Sequence, residues 1–493
     1  MLYDLVVIGG GINGVGIAAD AAGRGLTVLL VEKADLGGAT SSASSKLIHG
    51  GLRYLEHLEF RLVREALQER EALLANAGHI IWPQRFVLPQ VPGGRSGLLL
   101  RAGLFLYDNL GRRRRIPASE TIDLRRDHAG HALRRELTHG FAYWDCRVDD
   151  ARLVVLNARA AAQRGATIAP RTRLVSARAE GGVWQVELQS AAGRREARGR
   201  ALINAAGPWV NRVGDVVVSG QPAAQVRLVK GSHIVVPRIA GANDAYLCQS
   251  GDGRVVFAIP YEECFTLIGT TEVPYAGDPQ GAAISTDEED YLIGLARQFF
   301  SRPPVRADIV WSFAGVRPLY DDDSAEASSM SRDYRIELRA DDSAPLLTVL
   351  GGKLTTYRRL AEAALAQLSP YFAAMGPAWT ASSPLPGGDL GEDGLAGFIR
   401  ELCRANRGFD AAFLGRLARR YGSLVGEMLG DARSVGDLGE ALGGGLTERE
   451  VIYQRDNEWA LAPEDILWRR TKCGLHMSEE QRHAAADTIA RLL

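Results

Sequence analysis

Three glycines near the N-terminus are spaced to hold a pyrophosphate. Gly9, Gly11 and Gly14 form G-x-G-x-x-G directly after an apolar run, and Glu32 ends the next apolar run, 18 residues beyond Gly14. In this motif the first glycine permits a tight turn, the second lets main-chain amides approach phosphate, and the third packs a helix on a sheet. Glu32 is placed to accept a hydrogen bond from a ribose hydroxyl. The motif predicts a dinucleotide site, of nicotinamide or flavin type; the alternative is a glycine-rich turn that binds nothing.

A second segment, 40–56 (TSSASSKLIHGGLRYLE), collects groups that can donate or accept protons. It holds five hydroxyl side chains before a lysine, a histidine, two glycines and an arginine. This composition is too polar for a core helix and too varied for a flexible linker. It predicts a binding loop, against the alternative of a solvated loop.

These residues need a sheet with helices packed on it. The apolar runs 3–9 and 25–32 flank a stretch at 12–23 with helical spacing of small and apolar residues, which predicts strand, helix and strand. Two amphipathic helices, a hairpin and a buried strand are predicted next, at 57–77, 149–164, 172–200 and 201–207. The glycine motif therefore lies at the first strand-to-helix turn.

The second half of the chain has a different pattern of predicted elements. Short β-like runs within 226–273 predict a mixed or antiparallel sheet, and a buried strand at 345–351 precedes a helix at about 354–369. A Pro/Gly/Ser-rich linker spans 376–391, and 393–493 is nearly all helical in pattern.

The composition excludes several classes of protein. The chain has 493 residues, 46% hydrophobic and 24% charged, with a formal charge of -1. These values are those of a multidomain globular protein, and no overall field attracts nucleic acid. Five cysteines with no CxxC pair and no zinc-type spacing predict a reduced cytoplasmic chain without a metal. We find no signal peptide pattern and no apolar run of 18 residues.

Taken together, the motifs resemble the FAD-dependent, respiratory sn-glycerol-3-phosphate dehydrogenase family. The resemblance covers essentially the whole chain and is carried, in order, by GGGINGVGIAADAAGRGL, TSSASSKLIHGGLRYLEHLEFRLVREAL, INAAGPW, RLVKGSHIVVP, IGTTE, GVRPL, SRDY, GGKLTTYRRLAE, LPGG and LWRRTKCGL. It implies a flavoprotein that oxidises glycerol 3-phosphate to dihydroxyacetone phosphate. It also implies electron transfer to a membrane quinone, peripheral attachment to the inner face of the cytoplasmic membrane, and a homodimer.

The resemblance assigns cofactor contacts along the chain. FAD would contact the glycine motif and Glu32, the loop that follows, the end of a strand, and the start of a helix. These contacts are Gly9, Gly11, Gly14, Glu32, Ser41, Ser42, Ser44, Ser45, Lys46, His49, Gly50, Gly51, Ala206, Gly207, Gly352, Lys353, Leu354 and Thr355. Lys353 would also stabilise the negative charge of the reduced flavin.

The substrate contacts are also implied by the resemblance. Arg53 and Arg332 would bind the phosphate, because guanidinium groups match phosphate oxygens. Arg317 would lie nearest the reacting hydroxyl, with Tyr54 and Thr270 as orienting hydroxyls. His233 is the expected general base, because an imidazole can accept the hydroxyl proton near neutral pH. His49 is the rival base.

Two charged runs have weaker interpretations. Residues 321–323 (DDD) are expected to be a solvated turn rather than a metal site. Residues 112–115 (RRRR) follow the apolar segment GLLLRAGLFLYDNLG, a combination that suits an anionic lipid surface. The alternative for this run is a solvated helix face.

The expected fold is α/β, with a Rossmann-type FAD-binding domain, a sheet-based substrate cap and a C-terminal helical domain. The FAD-binding domain is expected at 1–75, 145–215 and 320–372, the cap at 76–144 and 216–319, and the helical domain at 380–493. The close alternative in function is an oxidase that transfers electrons to oxygen. A flavin amine oxidase fits less well, and a dinucleotide-binding sensor without activity is the remote alternative.

Overall fold

A computed structural model describes residues 1–91, 93–111, 113–218, 226–249, 254–320, 333–340 and 344–493. Its strands, in chain order, are β1 (Leu2–Ile8), β2 (Val28–Val31), β3 (Leu47–Ile48), β4 (Ile81–Pro89), β5 (Glu120–Asp123), β6 (His139–Val148), β7 (Thr167–Ala169), β8 (Arg173–Glu180), β9 (Val183–Ser190), β10 (Gly193–Asn204), β11 (Val217–Val218), β12 (Val226–Pro237), β13 (Ala245–Gln249), β14 (Val255–Tyr261), β15 (Phe265–Gly269), β16 (Val273–Pro274), β17 (Trp311–Tyr320), β18 (Arg335–Arg339), β19 (Leu346–Leu350), β20 (Ala441–Gly443) and β21 (Leu446–Thr447).

The longer helices pack against these strands or form the C-terminal part. They are α1 (Ile12–Gly23), α2 (Phe60–Asn76), α3 (Gly97–Leu110), α4 (Asp150–Ala162), α5 (Val210–Val216), α6 (Thr286–Phe299), α7 (Tyr357–Leu368), α8 (Gly394–Ala405), α9 (Ala411–Tyr421), α10 (Val425–Leu429), α11 (Glu448–Glu458) and α12 (Glu479–Leu492). Among the described residues, we find no helix with the length and apolar character that crossing a bilayer requires.

The first sheet carries the dinucleotide-type topology. Its order is β11-β8-β9-β10-β1-β2-β7, and β19 pairs with the end of β10. The central pairs β10/β1, β1/β2, β2/β7 and β10/β19 are parallel, whereas β8, β9 and the first half of β10 form an antiparallel meander. The segment 172–200, predicted as a hairpin, thus forms three strands, β8, β9 and the first half of β10, and the buried strand predicted at 201–207 is the continuation of β10. Because β1 and β2 are buried on both faces, they are continuous apolar runs, as the sequence indicated.

Helices α1, α4 and α7 cover one face of the first sheet. Apolar residues of these helices and of β1, β2 and β10 form one buried core. Trp184 and its neighbours form a second core on the opposite face, beneath the meander. Because both faces are covered, the positions of the strand ends are firmly set, and these ends carry the cofactor loops.

The second sheet has the order β16-β12-β15-β14-β13-β4-β6-β3, with β17 paired to β12 and β5 to β6. It is antiparallel except for β4 and β13. Both expected cap segments contribute strands to it, but so does β3, which lies within 1–75. We propose that the FAD-binding domain comprises 1–75, 145–215 and 320–372, the cap 76–144 and 216–319, and the helical domain 380–493.

The C-terminal part is mainly helical, with the short hairpin β20–β21. Buried ion pairs attach it to the first sheet's helices and loops: Arg152 with Glu458 (2.5 Å) and Arg470 with Asp35 (2.6 Å). Breaking one partner of such a pair costs about 3–5 kcal/mol, because the other charge stays buried. The C-terminal part is therefore tightly docked.

Candidate active site

A cavity of about 990 Å³ lies between the two sheets. Its wall combines the glycine motif, the segment 37–54, β17, the turn 351–355 and two C-terminal residues, Trp468 and Arg469. Parts of the chain that are more than 400 residues apart thus face the same space.

Gly9 and Gly11 of the glycine motif line the cavity, whereas Gly14, also predicted as a cofactor contact, packs against the main chain of Gly9 and is not in the wall. Gly9 has φ +115°, and a side-chain Cβ at Gly14 would lie 1.9 Å from the Gly9 carbonyl oxygen. Gly11 is the N-cap of α1, and Ile12 N donates to Ser41 Oγ at 3.0 Å. The tight turn brings the positive N-terminus of α1 to the cavity wall, where it can hold a phosphate group.

Glu32 is held in place by main-chain donors. Its Oε2 accepts from Gly10 N (2.7 Å) and its Oε1 from Ala34 N (2.8 Å). Burial raises the pKa of Glu32, against the effect of these two hydrogen bonds. The carboxylate lines the cavity, so its remaining lone pairs can accept from ribose hydroxyls.

Lys33 and Trp209 also line the cavity, and neither was predicted from the sequence as a site residue. Lys33 Nζ lies 3.5 Å from the centre of the Trp209 ring, a cation–π contact. The only signal was the position of Trp209 within INAAGPW.

The serine-rich segment lines the cavity, but Lys46 does not. Ser41, Ser42, Ser44 and Ser45 are in the wall. Lys46 is 2% exposed and its Nζ donates to both carboxylate oxygens of Asp150, at 2.8 and 2.9 Å. The prediction of a cofactor contact for Lys46 is therefore corrected: its charge anchors the loop to α4.

His233 is also behind the wall rather than in it. Only 1% of it is exposed, Nε2 shares a hydrogen bond with Ser45 Oγ (2.9 Å), and Nδ1 is buried without a partner. Its ring stacks on Phe313 at 4.9 Å. Burial, Arg317 and Lys46 lower the pKa of His233 well below its usual range. A direct role as the general base does not match this placement.

His49, the rival base, lines the cavity. Its main-chain N donates to Thr355 Oγ1 at 3.2 Å. Burial lowers the pKa of His49, the Asp145 carboxylate opposes this shift, and Lys353, Arg70 and Arg317 add to it. The ring is therefore a neutral acceptor near pH 7.

The two glycines after His49 make room for tyrosines. A Cβ at Gly51 would lie 2.1 Å from the Tyr54 ring, and one at Gly50 would lie 2.7 Å from Tyr107 Oη. Gly51 lines the cavity and Gly50 does not. The predicted cofactor contact of Gly50 is thus replaced by a contact with Tyr107.

Arg317 points to the same region from β17. Its Nη2 donates to Thr270 Oγ1 and its Nη1 to Glu272 Oε1, both at 3.3 Å. Glu272, from the motif IGTTE, was not among the predicted residues. A carboxylate beside this guanidinium makes it a poor place for a dianionic phosphate, and a better place for a hydroxyl.

The remaining predicted residues are distributed around the same cavity. Lys353 Nζ lies 3.9 Å from the centre of the Tyr54 ring. The other residues in the wall are Arg53, Ala206, Gly207, Gly352, Leu354 and Thr355. Arg332 and the run 321–323 lie outside the described residues, as does Arg112.

Comparison with known proteins agrees with this arrangement. Residues 4–358 match the family of FAD dependent oxidoreductases, and residues 378–493 match the C-terminal domain of alpha-glycerophosphate oxidase. A glycerol-3-phosphate dehydrogenase of Pseudomonas aeruginosa is 53% identical over 98% of this chain and 94% of its own length. The chain belongs to the FAD-dependent glycerol-3-phosphate dehydrogenase family.

A second enzyme sequence and a solved structure are also similar to this chain. D-erythritol 1-phosphate dehydrogenase of Brucella abortus is 49% identical over 98% of this chain and 97% of its own length. The glycerol-3-phosphate dehydrogenase of Bacillus halodurans, solved with FAD, has a TM-score of 0.77 at 28% identity, covering 100% of this chain and 95% of that one. The expected fold class and the expected cofactor, FAD, are thereby confirmed.

The residues present suit FAD. The tight turn at Gly9 and Gly14 places the helix N-terminus at Gly11 beside the oriented carboxylate of Glu32, and His49 and Lys353 line the same cavity. The first sheet therefore supplies a cradle for a dinucleotide, and the second sheet covers the end where a substrate would react.

Proposed function

We propose that this protein oxidises sn-glycerol 3-phosphate to dihydroxyacetone phosphate and delivers the electrons to a membrane quinone. One observation carries the proposal: His49, Arg317, Lys353 and Arg53 line the same cavity as the dinucleotide cradle. A base and several cations around one carbinol are what the oxidation of a phosphorylated alcohol needs.

We assign the proton to His49. When bound, FAD supplies the acceptor for the hydride that leaves the carbinol carbon. The hydroxyl proton passes to a ring nitrogen of His49, whose lowered pKa keeps the ring neutral and able to accept it. This assignment replaces His233, which supports Ser45 from behind.

Arg317 stabilises the charge that develops on the substrate oxygen as the proton leaves. Thr270 and Glu272 hold its guanidinium in one orientation. Glu272 also disfavours phosphate directly beside Arg317, so the phosphate is assigned to Arg53 and Arg332, with Tyr54 as an orienting hydroxyl. Lys353, packed on Tyr54, adds positive charge beside the flavin position.

The outer face of α3 supports a lipid contact. Leu98, Leu99, Phe105 and Leu106 are exposed on this helix, and Leu98 is 86% exposed. Residues 113–115 (RRR) come shortly after the helix ends at Leu110. Apolar side chains beside arginines suit an anionic bilayer surface. On this basis we propose peripheral attachment to the inner face of the cytoplasmic membrane; a homodimer rests on the family resemblance alone.

One experiment tests both substrate and acceptor. Purified holoenzyme is mixed with glycerol 3-phosphate or D-erythritol 1-phosphate, each with a quinone analogue, oxygen or NAD. We expect fast quinone reduction with glycerol 3-phosphate and none with NAD. Rapid peroxide formation without quinone reduction would assign the protein as an oxidase. A higher kcat/KM for D-erythritol 1-phosphate would replace the proposed substrate by the longer polyol phosphate that a close relative's name specifies.

A further inference from the structure

The inner face of α3 reaches the turn that carries His49. Tyr107 lies on this face, is 2% exposed, and accepts a hydrogen bond from Gly50 N at 2.8 Å. Its own hydroxyl proton is donated to Asp145, whose oxygens lie at 2.7 and 2.9 Å. Burial and the Asp145 charge raise the pKa of Tyr107 well above its usual range, so the hydroxyl remains a donor.

Asp145 connects this hydroxyl to the cavity. It is 2% exposed, lies on β6 and contributes to the cavity wall. Arg70 from α2 donates to Asp145 Oδ1 at 2.6 Å and to the Trp144 carbonyl at 2.9 Å. The carboxylate is therefore held in one orientation by two donors from two different helices.

The packing around Gly50 leaves no room for a side chain. A Cβ at this position would lie 2.6 Å from Leu67 Cδ2 and 2.7 Å from Tyr107 Oη. On the other side, Thr355 Oγ1 accepts from His49 N. The main chain at His49 and Gly50 is thus held from both sides, by Thr355 and by Tyr107.

We propose that Tyr107 and Asp145 are positioning residues for His49. Tyr107 fixes the main chain beside the imidazole, and Asp145 presents a negative charge that stabilises the ring after it has accepted the substrate proton. This inference rests on the proposed function, in which His49 is the base. The charged groups around the imidazole are Asp145 on β6, Arg70 on α2, Arg317 on β17 and Lys353 in the turn before α7. Asp145 is the one anion among these four groups. None of the other three can stabilise the protonated imidazole.

The first test removes the Tyr107 hydroxyl. In FAD-loaded Tyr107→Phe, stopped-flow reduction of the flavin by glycerol 3-phosphate should slow about 10-fold, because small misplacements of reacting groups are costly. The substrate concentration at half-saturation should change less than about twofold. Tyr246→Phe is the matched control: this buried cap tyrosine donates to the Ala129 carbonyl at 2.8 Å. Equal rates for Tyr107→Phe and Tyr246→Phe would overturn the proposal.

The second test removes the charge of Asp145. In Asp145→Asn the pKa of His49 should fall, because a nearby opposite charge no longer favours the protonated ring. The rate rises with pH as His49 loses its proton, so this limb of the profile should move to lower pH. The same change in the pKa of His49 should appear when ¹³C-labelled histidines are titrated and followed by NMR. The signal of His49 is assigned as the one that is missing in His49→Asn. An unchanged titration would overturn the role of Asp145.

The outcomes separate the two proposals. If wild-type flavin is not reduced by glycerol 3-phosphate, the proposed function fails before any variant is compared. If wild-type flavin is reduced and Tyr107→Phe reacts at the wild-type rate, only the positioning role fails. Gly50→Ala, which pushes on the Tyr107 hydroxyl, should slow reduction in the same direction as Tyr107→Phe.

Discussion

Within the glycine motif, Gly11 and Gly14 have different physical tasks, and substitutions should separate them. Gly11 has φ -78° and ψ 177°, a conformation open to any residue, and its nearest neighbour for a Cβ is Ser41 Oγ at 3.2 Å. Gly11→Val should therefore fold but contain no FAD, because its side chain enters the pyrophosphate space. Gly14→Ala should lose about 1–3 kcal/mol of folding free energy, because its Cβ collides with the main chain. Flavin absorbance and thermal unfolding of the apo forms make the comparison. Stoichiometric FAD in folded Gly11→Val would contradict the placement.

The pair Arg317 and Glu272 gives a prediction about charge at the reacting end. Arg317→Ala should lower kcat/KM by about 10²–10³-fold, since a donor to the developing charge is lost. Lysine should restore only part of this, because it lacks the planar fork. Glu272→Gln keeps the guanidinium but removes the neighbouring negative charge. Competitive inhibition by inorganic phosphate should therefore strengthen several-fold. Unchanged inhibition would mean that phosphate is kept away from Arg317 by shape and not by Glu272.

At the scale of elements, α3 has two faces with different tasks. The inner face holds Tyr107 and Leu104, and the outer face exposes leucines and Phe105. Leu98→Gln combined with Phe105→Gln should weaken sedimentation with anionic vesicles, and replacing 113–115 by glutamine should weaken it further at low salt. Turnover of a soluble acceptor should stay unchanged.

The control for lost charge replaces three arginines on the exposed part of β10 by glutamine, at Arg194, Arg195 and Arg198. If the glutamine variants at 113–115 and on β10 lose vesicle binding equally, the loss is a general effect of charge and α3 does not contact the membrane.

At the scale of the whole molecule, His79 makes the junction with the C-terminal part sensitive to acid. It packs against Gly387 and Gly422, is fully buried, and neither ring nitrogen has a partner. Burial and the charge of Arg152 lower the pKa of His79 to about 3. In the unfolded chain the ring takes up a proton near pH 6.5. Between these two values the unfolded state binds more protons, so the folded state loses stability as the pH falls.

The size of this effect is measurable. It amounts to on the order of 1 kcal/mol per pH unit within that window. His79→Leu should therefore show a shallower fall of the unfolding free energy from pH 6 to pH 4 than wild type. His483→Leu, at an exposed position of α12, should follow the wild-type slope. Parallel slopes for wild type and His79→Leu would show that His79 becomes protonated without unfolding.

Short-range features of the site could be predicted from the sequence by itself. The turn at Gly9 to Gly14 and the carboxylate of Glu32 belong to one strand–helix–strand unit, in which local spacing determines geometry. The apolar runs of β1 and β2 and the family motifs established the fold class and FAD. These runs and motifs do not predict which polar residues face the cavity, because the direction of each side chain depends on how the two sheets pack together.

Only the tertiary structure shows which side chains from distant parts of the chain reach the cavity. Lys46 was predicted from the family resemblance to contact FAD and His233 was predicted to be the general base, yet Asp150 and Ser45 hold these two side chains behind the wall. Asp145, Glu272 and Trp468 carry no recognisable spacing relative to the glycine motif, yet all line the cavity. The physical reason is that burying a charge requires a partner, and the partners come from strands and helices that meet only when both sheets and the C-terminal helices have packed.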